Sequence, residues 1–133
     1  MQLTVSTDIA LRTLIYLGRK QDAATIQEVS EAFDISRTHL MKVVMTLVGE
    51  HILMSERGRN GGIRLALDAR DIPVGKVVRL MESNLALVAC MRDDMPADVC
   101  PLLPNCRLKK VFTKAQDAFF ATLDQSSLAD LLK

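Results

Sequence analysis

Apolar residues recur at helical spacing along most of the chain and give way once, between residues 52 and 66, to short β-type runs. Leu11, Leu14, Ile15 and Leu17 form one apolar face and predict a helix over Ser6–Gly18. Ser6 or Thr7 can cap it, Asp8 sits in its first turn, and Gly18 can end it. Thr25-Ile26-Gln27-Glu28 is a capping box, so a short helix runs from Ile26 to about Phe33. Asp34-Ile35 makes a tight connector. Ser36 then caps a helix from Arg37 to about Gly49, with Leu40, Val43, Val44 and Leu47 as its buried stripe. Ile52–Ser55 and Ile63–Ala66 read as strands, and Asn60-Gly61 between them is a hairpin-turn signal. Pro73 opens another helix, to about Ser83, whose inner face is Val74, Val77, Val78 and Met81. Residues 84–89 lead to Cys90. Leu108, Val111, Phe112, Ala115, Ala118, Phe119 and Thr122 predict a long helix from Arg107 to about Leu123, and Ser126 or Ser127 caps a last short piece.

Two short helices joined by a tight turn and followed by a hairpin make a winged helix-turn-helix. The fold class expected is mainly α with a small β-hairpin, plus a long helix whose stripe exceeds what a small winged helix needs and suits a dimer interface. The expected organisation is a winged helix-turn-helix domain over 1–83, a cysteine-bearing loop over 84–106, and a dimerisation helix with a C-terminal tail over 107–133. In such units the second helix enters the major groove by its N-terminal residues, here Ser36, Arg37, Thr38, His39 and Lys42.

Charge refines this. The 133-residue chain carries a net charge of only +1, so no global field draws it to nucleic acid or membrane. Between Asp34 and Arg64, however, five Arg/Lys face three Asp/Glu, and Arg57, Arg59 and Arg64 lie on the wing. With Asn60 at the tip, these suit phosphate contacts or a minor groove. The glycine-rich tip lacks the pattern of a phosphate-binding P-loop. No nucleophile–base pair or open zinc site is evident, so no enzyme is expected. No apolar run is long enough to span a membrane. Hydrophobic residues make up 49% of the chain, with four Phe and one Tyr, so aliphatic side chains build the core.

All three cysteines fall in one window, Cys90, Cys100 and Cys106, spaced C-x9-C-x5-C with Pro96, Pro101 and Pro104 between them. The count is odd and no secretory signal precedes it, which argues against disulfides and for a cytoplasmic protein with reduced thiols. Short C-x2-C zinc knuckles are absent. Iron–sulfur clusters accept wider spacings. Three thiolates leave such a site one ligand short. Asp8, His39, His51 or an exogenous group are the candidates for the fourth, and a site closed by a weaker ligand points to a sensor.

The opening MQLTVSTDIALRTLIYL, the helix EVSEAFDISRTHLMKVVMTL, the wing RGRNGGIRLAL, the segment IPVGKVVRLME and the stretch CPLLPNCRLKKVFTKA together resemble the Rrf-two family of bacterial winged-helix regulators, over nearly the whole chain. Within it the resemblance is to the NsrR-type, nitric-oxide-sensing repressors. It implies a homodimer on double-stranded DNA at palindromic promoter sites, with nitric oxide as the signal. It also implies an iron–sulfur cluster, 4Fe-4S in preference to 2Fe-2S, held by Cys90, Cys100 and Cys106 with Asp8 of the partner subunit. Arg12, one turn after Asp8, would steady that carboxylate. The IscR type, a regulator of cluster status, uses a histidine just after the third cysteine, where this chain has Arg107-Leu108-Lys109-Lys110. A cluster-binding module that does not act on DNA is the other alternative. The nine-residue first gap is longer than the NsrR pattern.

Overall fold

The computed structural model describes residues 1–59 and 61–133. Helix α1 (Val5–Lys20) is followed by α2 (Ile26–Phe33), α3 (Arg37–Gly49), strands β1 (Leu53–Glu56) and β2 (Gly62–Leu65), α4 (Val74–Met81), α5 (Arg107–Asp124) and α6 (Leu128–Leu131). The mainly helical class with one hairpin is as expected.

The expected limits of α2 and α3 hold because their caps are local. The Thr25 hydroxyl accepts from the Glu28 N–H at 3.0 Å, and the Ser36 hydroxyl from the His39 N–H at 3.4 Å. Asp34, at φ 52°, closes α2 in the left-handed region. Helix α1 differs at both ends. Thr4, rather than Ser6 or Thr7, is its cap, and the helix continues past Gly18 to Lys20, closing at Gln21 with φ 58°. Gly18 is a packing residue instead: a Cβ there would stand 2.8 Å from Leu132 Cδ1. Leu128 joins the main core at 2% exposure, and its N–H donates to the Ile72 carbonyl at 2.8 Å. The chain end thus folds back onto α1 rather than trailing away.

The strands pair antiparallel in the register Leu53 with Leu65 and Glu56 with Gly62, one residue away from the expected limits. The α1–α2 loop adds to them: Ala24 and Ile63 exchange N–H···O bonds of 2.9 and 2.8 Å. Gly62 has φ +144°, and an ideal Cβ on it would lie 2.4 Å from the Ala24 carbonyl oxygen. Only glycine fits this crossing.

The main core draws Leu14 and Leu17 from α1, Val29 from α2, Leu40 and Leu47 from α3, and Val77 from α4. A second cluster of Val74, Val78 and Phe120 joins α4 to α5. Helix α5 has two faces. Phe120, outside the stripe expected from sequence, is its buried residue, at 8% exposure. Most of the expected stripe points outward: Leu108 is 58%, Val111 61% and Phe119 38% exposed. Arg79 fastens α4 to α5 by paired bonds of 2.8 Å to the Asp124 carboxylate and stacks over the Phe120 ring at 4.2 Å. Among the described residues, no helix is long and apolar enough to cross a membrane.

Candidate DNA-binding face and thiol-bearing segment

The cap at Ser36 turns the first residues of α3 to the surface. Arg37, Thr38 and Lys42 are exposed. His39 is half-buried, and its Nε2 stands 3.0 Å from the Ser6 hydroxyl of α1. Met41 and Met45 are also exposed, at 48% and 70%, on the same outward surface of α3. Their i, i+4 spacing outside the Leu40, Val43, Val44 and Leu47 stripe is the sequence signal for that placement. A cleft of about 530 Å³ lies beside this helix, lined by Ser6, Ser36, His39, Lys42 and Met81 among others.

On the wing, Arg57 and Arg59 are exposed. Arg64 sits at the wing's base rather than its tip. Its guanidinium lies 3.3 Å from Asp22 and 3.3 Å from Glu56. The Glu56 contact is a charge pair without hydrogen-bond alignment, since the buried Arg64 Nε has no hydrogen-bond partner. Asn60 lies outside the described residues.

Glu82, which sequence reading missed, links the end of α4 to the start of α1. Its Oε1 accepts the Thr4 N–H at 2.8 Å, the Thr4 hydroxyl at 3.1 Å and the Thr7 hydroxyl at 2.5 Å. Burial pushes the Glu82 carboxyl up, but the Thr7 and Thr4 hydrogen bonds outweigh it and hold the pKa below its ordinary value. An acid 75 positions from its partner leaves no local sequence signal. The first turn of α1 therefore touches α3 through Ser6 and the root of the 84–106 segment through Thr4 and Thr7. Asp8 is in the same turn, exposed, with Arg12 Nε 3.1 Å from its Oδ1 and Arg12 Nη2 2.9 Å from its Oδ2.

The thiol segment begins just beyond Glu82. Cys90, Cys100 and Cys106 are free and half-buried. Cys90 lies in a 3-10 turn, Ala89–Met91. Cys106 is the N-cap of α5, and its sulfur accepts the Lys109 N–H at 3.4 Å. The Gln116 side chain donates to the Leu85 carbonyl and holds the approach to the segment against α5. Three free thiols, one already facing a backbone donor at a helix N-terminus, are a donor set that fits an iron–sulfur group. Among the described residues, no three His, Cys, Asp or Glu side chains of the single chain stand together in metal-ligand geometry. His51 is exposed in the turn after α3, at φ 58°.

The Rrf2 family, described as iron-dependent transcriptional regulators, matches residues 3–133. The chain is similar to the HTH-type transcriptional regulator NsrR of Oceanobacillus iheyensis, 42% identical over all of this chain and 90% of that one. It is also similar to NsrR of Bacillus subtilis, 41% identical over all of this chain and 91% of that one. In three dimensions it resembles CymR, the global cysteine regulator of B. subtilis, with a TM-score of 0.78 at 22% identity over 99% of this chain and 96% of CymR. It likewise resembles IscR of T. potens, with a TM-score of 0.75 at 22% identity over 99% of this chain and 86% of IscR. The chain belongs to the Rrf2 family of winged-helix transcriptional regulators.

Proposed function

We propose that this protein is a cytoplasmic, homodimeric repressor that binds palindromic promoter sites on double-stranded DNA under the control of an iron–sulfur cluster that reacts with nitric oxide. The observation that carries this reading is the placement of the three free thiols. They lie in the segment that runs from just after Glu82 to the N-cap of α5, and the Glu82 carboxylate accepts from Thr4 and Thr7 in the turn of α1 whose Ser6 contacts His39 of α3.

Ser36 and residues 37–42 of α3 read the major groove. Ser36, Arg37, Thr38, His39 and Lys42 supply polar contacts, and Met41 offers an apolar one to a thymine methyl. Arg57 and Arg59 of the wing, with Asn60, lie against phosphates or the minor groove, while Arg64 braces the wing's base. The exposed Leu108, Val111 and Phe119 face of α5 pairs with its copy about a two-fold axis, setting the recognition helices about 34 Å apart, one turn of DNA.

Cys90, Cys100 and Cys106 would hold the cluster, 4Fe-4S in preference to 2Fe-2S, with Asp8 of the second copy as fourth ligand and Arg12 fixing that carboxylate. When bound, the cluster supplies iron that nitric oxide can attack. The chain's part is mechanical. Ser6, Thr7 and Asp8 share the first turn of α1, which Thr4 caps, so a pull on Asp8 moves the His39 contact and the pose of α3. DNA affinity changes only as far as the two poses differ in affinity. The IscR-type alternative would need a histidine after Cys106, and the chain has none between Arg107 and Lys110.

The test is the absorbance and promoter binding of anaerobically purified protein before and after nitric oxide. Visible iron–sulfur bands that bleach, with operator affinity falling at least tenfold (about 1.4 kcal/mol), are expected. Each Cys→Ala protein should lack the bands and bind like the treated form. Colourless wild-type protein after anaerobic reconstitution, or equal affinity before and after nitric oxide, overturns the reading.

A further inference from the structure

We infer that the face of α1 from Arg12 to Arg19 is the docking site for residues 93–98 of a second copy of this chain. The inference rests on the homodimer proposed above and adds a contact that the cluster alone does not require.

A groove of about 700 Å³ opens on this face. Ile15, Tyr16 and Phe33 make its apolar floor, with the Tyr16 and Phe33 rings edge to face at 5.8 Å. Arg12, Arg19 and Lys20 line it with positive charge. Two of these cations are balanced within the chain, Arg12 by Asp8 at 2.9 Å and Lys20 by Glu28 at 2.6 Å. Arg19 is exposed and, among the described residues, has no ion pair.

The segment between Cys90 and Cys100 carries the complementary order: Asp93-Asp94, then Met95-Pro96-Ala97, then Asp98. Acids flank a short apolar centre, as cations flank the apolar floor. Asp94 is paired with Arg92 at 2.5 Å, whereas Asp93 and Asp98 are exposed and make no ion pair among the described residues. Exposed charge pairs alone contribute little. The match matters because Met95 and Pro96 can cover the floor while the acids meet its rim.

The dimensions agree. Asp8 and Arg12 are one turn apart, and Arg19 lies about 16 Å along the helix from Asp8. If Asp8 reaches the thiols of the second copy, Arg12 lies beside them. At full extension Asp98, two residues from Cys100, reaches at most about 7 Å from it, and Asp93, three from Cys90, at most about 10 Å. Both acids can then reach the Arg12–Arg19 face. The nine-residue gap between Cys90 and Cys100 contains the whole of this six-residue segment.

A charge exchange in the full-length protein tests the inference by sedimentation equilibrium. Arg19→Glu and Asp93→Arg should each weaken self-association at least fivefold, and the double variant should recover most of that loss. Both residues are exposed, so circular dichroism should match wild type. Unchanged association in either single variant, or a double variant as weak as the two losses combined, overturns the docking. So does Arg19→Glu weakening operator binding at unchanged association, which would assign the groove to DNA phosphates. Val111→Asp separates the two readings. Monomers from Val111→Asp alongside a failed charge exchange leave the dimer standing without this contact. A dimeric Val111→Asp protein removes the α5 interface, while the exchange still decides the docking.

Discussion

At the scale of the residue, Glu82 shows how one side chain can join distant parts of a small protein. Its carboxylate takes a backbone N–H and two hydroxyls at the start of α1, although it lies at the end of α4. Glu82→Ala strands these donors, and Thr7 is fully buried, so the loss should reach about 1–2 kcal/mol. Thermal unfolding at pH 7 should show a fall of several degrees. The folded pKa of Glu82 is held below its ordinary value of 4.5, so its contribution is present above that pH and fades as the pH falls through the folded value. The gap in Tm between variant and wild type should therefore be widest near neutrality and narrow towards pH 3. A constant gap would mean that the ionised carboxylate is not the stabilising form. Arg64 carries the same lesson. It reads as a wing cation, but its guanidinium stands between Asp22 of the α1–α2 loop and Glu56 of β1.

At the scale of the element, the wing and α5 depend on contacts their own sequences do not reveal. The hairpin is anchored by Ala24, which bonds Ile63 in both directions. Gly62→Ala places a Cβ against the Ala24 carbonyl at a backbone angle that disfavours side chains, so it should destabilise by more than about 1 kcal/mol. Operator affinity should fall with it, because Arg57 and Arg59 are carried by this hairpin. Native thermal stability and DNA binding in Gly62→Ala would show that the crossing can be rebuilt. In α5, helical periodicity identified the helix but not which side is buried. The exposed stripe and the Phe120 side are both apolar, and only the packing of α4 distinguishes them.

At the scale of the whole molecule, the outward face of α5 makes the proposed dimer testable without harming the single chain. Val111 is 61% exposed, so Val111→Asp should cost the chain's own fold little while setting a charge into the two-fold contact. Sedimentation should show monomers, and operator binding should weaken, because one recognition helix would then act without its pair. Much of the architecture was legible beforehand. Thr25, Ser36 and the Asp34 turn bound α2 and α3 through bonds spanning three to five residues, and such bonds are written in adjacent sequence. The gathering of all three thiols between α4 and α5 was legible for the same reason, being a fact of order along the chain. What tertiary structure alone decided lies across long separations. Gly18 yields its space to Leu132, Phe120 rather than Phe119 enters the core, Arg64 turns to Asp22, and Glu82 accepts from Thr4 and Thr7 at the start of α1. In each case several local choices were equally compatible with the pattern. The one adopted depends on which distant group needed covering, pairing or a hydrogen bond, a condition that exists only once the chain has closed on itself.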